Sequence, residues 1–571
     1  MGLLALAAVV LVALFTGCGS GSGSPPASGE LAIGIPTSIN SLNPVTGVGP
    51  ADTNFMHFVW AGLLTTNSAG KLMPVLAQQV PSSANGLVSS GGRAVTFVLK
   101  PGLRWSDGSP LTSADVRFGW QVAARPEVML CPAVCWTVRS VTTEGPSRVT
   151  FHLTRPYSPL LFDLPPVLPR HQLWKGDWTG TLEYLFRTTT NFLSPRFAVD
   201  GPFMASSANK TGVSLVRNPH WTVLGRPTYP RVVLRSYKTD QAMLAATESG
   251  SVQISQGYSL SDLSTSMFAG VNGNGAELHL FPDAGVEHLE PNLGLQPTND
   301  VRVRQALSLA IDRASLIARS LKLSLARAKG LVWFSPEFPG RFDGVAAHGA
   351  WNPLLGHFSP SRDIAAARRL LAIAGWHLRS DGYRYRHGCP GANGCRLTVR
   401  LFVPSRDTLR RAEGLALKEM WKSIGVNTVI VDTWSIQSMI STFQENGACS
   451  RGYDTLCLMA QNPGYDPQTD FGLEFTSNHI ARWKRYPHVT DINYPGIRDP
   501  VIDRVFQLGA LTYDLSKRAA MYRRWQAETV RRADWIVLYL RPEIVVTHGA
   551  PTHLALSPLG IEWNPWLLGA S

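Results

Sequence analysis

Along this 571-residue chain the spacing of apolar residues keeps switching between every second position and every third or fourth. That alternation limits the fold more than any other feature of the sequence. Residues 95–99, Val-Thr-Phe-Val-Leu, mix β-branched and aromatic side chains and read as a strand that Pro101-Gly102 ends. The turn Ser106-Asp107-Gly108-Ser109-Pro110 follows. Thr112 or Ser113 can cap the next helix, with Asp115 in its first turn and Val116, Trp120 and Ala123 at helical spacing. Residues 148–153 and 231–237 read as further strands. From Asp300 the pattern turns helical: Val303, Ala306, Leu307, Ala310 and Ile311 share one face, with Asn299 or Asp300 as cap. Helices are expected over 361–374, stopped by Gly375, over 414–424 and over 515–533. Strands are expected over 426–431 and 535–540. Such alternation predicts an α/β fold. No clean linker interrupts it, so the chain is expected to cross between lobes several times.

Composition narrows the function classes. Hydrophobic residues make up 44% and charged residues 16%, which is the balance of a folded chain. The length allows about three or four domain-sized units. No apolar run of membrane-spanning length follows the extreme N-terminus, which excludes a polytopic membrane protein. No fixed repeat points to a solenoid or propeller. The formal charge is +13, carried mostly by arginine. The doublets Arg368-Arg369, Arg410-Arg411, Arg523-Arg524 and Arg531-Arg532 fall in helix-like stretches. They read as solvated helix faces or as an attraction to an anionic surface or ligand. No RNA-binding motif or basic heptad accompanies them, so nucleic acid is not an expected partner.

The N-terminus reads as an address. Residues 3–15 are an unbroken apolar run of the length of a secretory signal core, too short to span a bilayer comfortably. The run ends in Phe15-Thr16-Gly17-Cys18, which resembles a bacterial lipoprotein cleavage box with Cys18 as the lipidated residue. No positive residue precedes Leu3. The Gly/Ser/Pro-rich stretch 19–29 reads as a tether reaching roughly 20 Å by random-coil scaling. Six cysteines follow as near neighbours: Cys131 and Cys135, Cys389 and Cys395, Cys449 and Cys457. Outside the cytosol such neighbours are expected to form local disulfides. The rival, a zinc site, lacks both the two-residue spacing and a flanking His cluster, so no metal is expected.

Catalytic signatures are missing. The sequence carries no Walker-type loop, no H-E-x-x-H, no dinucleotide fingerprint and no nucleophile elbow. Neither an enzyme activity nor a cofactor is expected. The 17 tryptophans suit core packing, with a minority available to line a cleft for an extended organic ligand.

Several segments in order resemble one family. Ser41-Leu42-Asn43-Pro44, Gly62-Leu63-Leu64 and Pro74-Val75-Leu76-Ala77 open the match. Residues 96–116, Thr-Phe-Val-Leu-Lys-Pro-Gly-Leu-Arg-Trp-Ser-Asp-Gly-Ser-Pro-Leu-Thr-Ser-Ala-Asp-Val, are its most specific stretch. Gly201-Pro202-Phe203, Asn218-Pro219-His220-Trp221, Val301-Arg302-Val303-Arg304-Gln305-Ala306, Ala310-Ile311-Asp312-Arg313 and residues 366–376 continue it. The chain thus resembles, over about residues 31–545, the extracytoplasmic solute-binding proteins of ABC importers in the oligopeptide/dipeptide/nickel family, bacterial family 5.

The resemblance implies a two-lobed α/β fold of the periplasmic-binding-protein kind, type II with an extra domain, and a ligand cleft between the lobes. It implies a signal segment at 1–18 and a tether at 19–29. Lobe 1 would comprise 30–70, 205–288 and 535–571, the extra domain 71–204, and lobe 2 289–534. The expected partners are a peptide or similar organic solute, a membrane permease and a lipid anchor on the outer face of the cell membrane or in the periplasm, with the protein acting as a monomer. A ligand sensor on the same fold and a secreted hydrolase are the alternatives. In peptide-binding relatives an acid before the D-P element, here Asp466-Pro467, holds the ligand's amino terminus. This chain has Gln461, Asn462, Pro463, Gly464 and Tyr465 there instead. Either Asp466 takes that role, or the ligand lacks a free amine, because a buried unpaired ammonium is costly. Trp434 falls where relatives place a cleft tryptophan. The expected ligand-binding residues are therefore Asn43, Trp434, Gln461, Asn462, Tyr465 and Asp466.

Overall fold

Glu-Leu-Ala-Ile-Gly-Ile, residues Glu30–Ile35, is apolar on both sides of the strand, and Leu31, Ala32 and Ile33 are completely buried. A strand buried on both faces belongs inside a parallel sheet covered by helices. A computed structural model places it there. The structure describes residues 29–46, 55–66, 71–128, 136–264, 266–271, 275–324, 362–388, 394–404, 407–434, 456–461, 466–480, 492–549 and 565.

Ten of the described strands form one sheet: β1 Glu30–Ile35, β2 Phe203–Asn209, β3 Gly212–Arg217, β4 Arg231–Ser236, β5 Ile254–Gln256, β6 Ala276–Pro291, β7 Thr398–Pro404, β8 Asn427–Trp434, β9 Leu456–Gln461 and β10 Ile536–His548. Their order is β8-β7-β9-β6-β10-β5-β1-β4-β3-β2. One half pairs β1 in parallel with β4 and β5. The other pairs β7 in parallel with β8 and β9. The long antiparallel strands β6 and β10 run between the halves, β6 against β9 and β10 against β5. Their mutual register breaks between Pro282, opposite Pro542, and Val286, opposite Leu540. A separate three-stranded sheet, Ala94–Val98, Arg148–Leu153 and Val138–Glu144, shares its core with the first half: Phe97, Phe151 and Leu31 belong to one apolar cluster. A second cluster fills the other half around Leu307, Trp421, Leu458 and Leu538.

The helices used below are α1 Ser113–Ala123, α2 Asp240–Glu248, α3 Val301–Leu309, α4 Arg313–Ser320, α5 Ile364–Ile373, α6 Thr408–Lys422, α7 Pro467–Phe475, α8 Pro500–Leu511 and α9 Leu515–Arg532. Aspartates start most of them. Asp300, Asp312, Asp363, Asp407, Asp466, Asp499 and Asp514 each accept a backbone N–H in the first turn of α3 to α9 in sequence order. Each such cap contributes about 1 kcal/mol. At α1 the cap is Thr112, whose N–H donates to the Asp115 carboxylate at 2.8 Å.

Two differences from the sequence reading are informative. α6 starts at Thr408 instead of 414, because after Leu409 the next buried positions of its first turns are Arg410 and Glu413. Apolar periodicity cannot see a charged residue that is buried by pairing. Arg410 is therefore no solvated helix face: its Nε meets Glu287 at 2.7 Å. β10 extends to His548 instead of ending at 540, carrying on past Arg541-Pro542-Glu543. Two arginines of the motif helices anchor it. Arg304 donates to the carbonyls of Arg532 and Ala533 and pairs with Asp534 at 3.1 Å, while Arg313 donates to the Val537 carbonyl at 3.0 Å.

Candidate functional site

In open α/β sheets ligands gather outside the carboxyl ends of the parallel strands. β1, β4 and β5 end at Ile35, Ser236 and Gln256, and the loops beyond β4 and β5 border a cavity of about 430 Å³. Thr239, Asp240, Gln241, Ser259, Asp262, Ser266 and Met267 line it. Thr239 caps α2 by accepting from Ala242 N, which places Asp240 in the helix's first turn, and Asp240 accepts from Ser259 N at 3.0 Å. Burial, reinforced by a hydrogen bond and the like charge of Asp240, pushes the Asp262 carboxyl up to about 7. Two carboxylates that close share a proton at neutral pH. The cavity wall can therefore donate and accept hydrogen bonds toward hydroxyl, amide or amine groups. The sequence reading missed Asp240 and Asp262. They stand 22 positions apart with no local spacing to join them, and Asp240 reads as an ordinary helix-start acid.

On the other half, Trp434 ends β8 opposite Pro404, and Gln461 ends β9 opposite Val286. Both therefore lie at the carboxyl ends of strands flanking β7, and Gln461 adjoins the break in the β6–β10 register. Gln461 is half-buried. Asn462 and Tyr465 lie outside the described residues, as do Cys18, Cys131, Cys135, Cys389 and Cys449. Cys395 and Cys457 are each disulfide-bonded.

Two of the expected ligand contacts lie inside the fold. Asn43 is completely buried, and its side chain is spent within the fold: Nδ2 donates to the carbonyls of Leu185 and Thr190 at 3.0 and 2.7 Å, and Oδ1 accepts from Val45 N at 2.9 Å. It ties the segment after β1 to the loop at 185–190. Asp466 is 1% exposed, caps α7 through Gln468 N at 2.8 Å and meets Arg518 Nη2 at 2.7 Å. Arg518 also donates to Tyr522 Oη at 3.1 Å and to the Gly509 carbonyl at 2.9 Å. Burial works against the Arg518 charge, yet Asp466 outweighs it and leaves the guanidinium's pKa raised.

A second buried network stands beside the register break. Glu287 on β6 meets Arg410 at 2.7 Å and Arg541 of β10 at 3.5 Å. Tyr539 donates its hydroxyl to Glu413, whose carboxyl is pushed well up by burial and by the charge of Glu287. This network fastens both crossing strands to α6. Near the other end of this half, Tyr513 donates toward the carbonyls of Gly92 and Tyr157 at 3.2 Å, and Ser158 Oγ donates to the Gly509 carbonyl at 3.0 Å. The extra sheet's domain is thereby tied to α8 and the start of α9. Among the described residues, no cluster of three or more His, Cys, Asp or Glu side chains could hold a metal ion, and no helix is long and apolar enough to cross a membrane.

Known proteins share this architecture. The family model "Bacterial extracellular solute-binding proteins, family 5 Middle" matches residues 71–479. Protein XP55 of Streptomyces lividans is 26% identical over 547 residues, covering 92% of this chain and 87% of its own length. The crystal structure of NikZ from Campylobacter jejuni in complex with Ni(L-His) superposes with a TM-score of 0.68 at 20% identity, over 95% of this chain and 99% of NikZ. AppA from Bacillus subtilis in complex with a nonapeptide does so with a TM-score of 0.62 at 19% identity, over 94% of this chain and 98% of AppA.

Proposed function

Because this chain belongs to the family 5 bacterial extracellular solute-binding proteins, we propose that it is the lipid-anchored, extracytoplasmic capture component of an ABC importer, closing two lobes over a peptide or similar-sized organic solute. The break in the β6–β10 register supports hinge closure. Pro282 and Pro542 face each other there, and neither has an N–H to give the ladder. Bending at that point costs fewer hydrogen bonds than bending elsewhere along the two strands. Ligand contacts made only in the closed state would then drive the closure. A loaded, closed protein would dock on a membrane permease with the ligand intact. The motif run 15–18 and the tether support anchoring through Cys18. In Cys18→Ala the protein should shift from the membrane fraction to a soluble or uncleaved form, and an unchanged fractionation and mature N-terminus would sink the anchor.

The ligand class rests on one observation: the Asp466 carboxylate is already matched by Arg518. An ammonium entering there would have to displace a buried guanidinium. Amide and aromatic side chains at 461–465, and a net charge of +13, favour a solute without a free amino terminus: an N-blocked peptide, a saccharide or another neutral or anionic solute. Calorimetry on matched free and N-acetylated peptides tests this. The acetylated form should bind more tightly. Tight binding of the free form, lost on acetylation and lost again in a folded Asp466→Asn variant, would instead assign Asp466 as an amine anchor.

A further inference from the structure

α5 and the segment after it build an exposed, arginine-rich surface. α5 ends at Ile373, Gly375 takes φ +85° to reverse the chain, and Trp376 enters the core while His377 and Leu378 face outward. Ile373 and Leu378 are left 67% and 57% exposed. Leu378 lies against Gly425, whose added Cβ would sit 3.0 Å from the leucine Cδ1. The same surface therefore reaches the C-terminal end of α6. Arg362 and Arg368 reach that end too, donating to Ser423 Oγ at 3.0 Å and to its carbonyl at 2.7 Å. Lys422 is exposed beside them, and Arg369 sits one helical turn before Ile373. Arg386 covers the Trp376 ring at 4.8 Å and Arg379 covers Tyr385 at 4.3 Å.

Glu419, exposed one helical turn before Lys422, offsets one charge of this face, and the other acids nearby do not neutralise it. Asp300 is taken by Arg302 at 2.7 Å, Asp381 by Arg396 at 3.5 Å, and Asp363 caps α5. Among the described residues none of Arg362, Arg368, Arg369, Arg379, Arg386 and Lys422 makes an ion pair with a carboxylate. Burial first, and then the charge of Arg368, lower the pKa of Arg384 beneath the patch.

We propose that this face docks on an anionic lipid bilayer, its arginines meeting headgroup phosphates while Ile373 and Leu378 enter the headgroup layer. Guanidinium forks match phosphate oxygens, and exposed aliphatics set among cations fit a membrane interface. Nucleic acid fits poorly, because the aromatic faces on which bases would stack are covered by Arg386 and Arg379. An acidic protein surface would leave the two aliphatics without a use. The docking is additional to solute capture and independent of Cys18.

The test uses the chain from Gly19, which carries no lipid and retains every described residue, with phosphatidylcholine vesicles that do or do not contain phosphatidylglycerol. It should sediment only with the phosphatidylglycerol vesicles. Arg369→Glu with Arg379→Glu should weaken that partition roughly tenfold or more, given the contribution of each cation near an anionic surface. Ile373→Ser with Leu378→Ser should weaken it several-fold at unchanged charge. Arg187→Glu with Lys210→Glu, exposed in other parts of the molecule, should change it less than twofold. All variants should unfold at the parent's temperature. Equal loss in the Arg187/Lys210 control would reduce the effect to net charge and overturn the proposal. So would no loss in the aliphatic pair, no binding to phosphatidylglycerol, or binding only to vesicles carrying the permease, which would assign a protein partner instead.

Discussion

Asp240 and Asp466 occupy matching places in the two halves of the molecule. Each lies beyond the carboxyl end of a parallel strand, β4 in one half and β9 in the other, and each stands at the start of a helix. Their electrostatic fates are opposite. Asp466 is met by Arg518, which is completely buried, and the pair is sealed by Tyr522 and the Gly509 carbonyl. Asp240 is met by Asp262, on the wall of a cavity. A paired buried acid is a structural part, whereas two like charges sharing a proton beside a cavity remain able to respond to a ligand. Proximity to the carboxyl ends of the sheet therefore does not make an acid a ligand contact. What faces it decides that.

The largest effect should come from breaking the sealed pair. Arg518→Met would leave the Asp466 carboxylate buried without its cation, which typically costs 3–5 kcal/mol. Urea unfolding should show a loss of about that size. A loss below about 1 kcal/mol would mean that Asp466 is readily released from Arg518, and the amine-anchor reading would return.

The smaller effect lies at the shared proton. Asp262 has a carboxyl held up at about 7 in the folded protein, above its ordinary value near 4 in an unfolded chain. The folded state binds the extra proton, so this contribution is fully present below pH 4 and is lost as pH rises through 7. Asp262→Asn should flatten that part of the pH–stability curve and remove one carboxyl titrating near 7 from an NMR titration. Asp163 and Asp200, also pushed up to about 7 by burial, should remain. If the near-neutral carboxyl resonances are all unchanged in Asp262→Asn, the two acids do not share a proton, and the contrast between the halves is lost.

Much of the architecture is legible from residue order. The strand over residues 148–153, the cap at Asp300 and the stop at Gly375 appear in the structure where local patterning puts them. The resemblance of residues 96–116 points to the family that the family model identifies. The site is less legible. Asn43 stands in the family's opening motif, yet its amide is turned into the loop at 185–190. Trp434 and Gln461 do end the two strands that flank β7 in parallel, and that much follows from strand length and direction.

Sequence alone determined the α/β class, the starts of α1 and α3 and the family, because those signals act within a few residues: a cap reaches two or three positions, and a pleat or helical face repeats every two to four. Tertiary structure alone decided which acids are neutralised. Arg518 lies 52 positions from Asp466, Arg410 lies 123 from Glu287, and Asp262 reaches Asp240 across a loop. A charge's role is set by the sign of its nearest neighbours in a low-dielectric interior, and chain order carries no direct record of those neighbours.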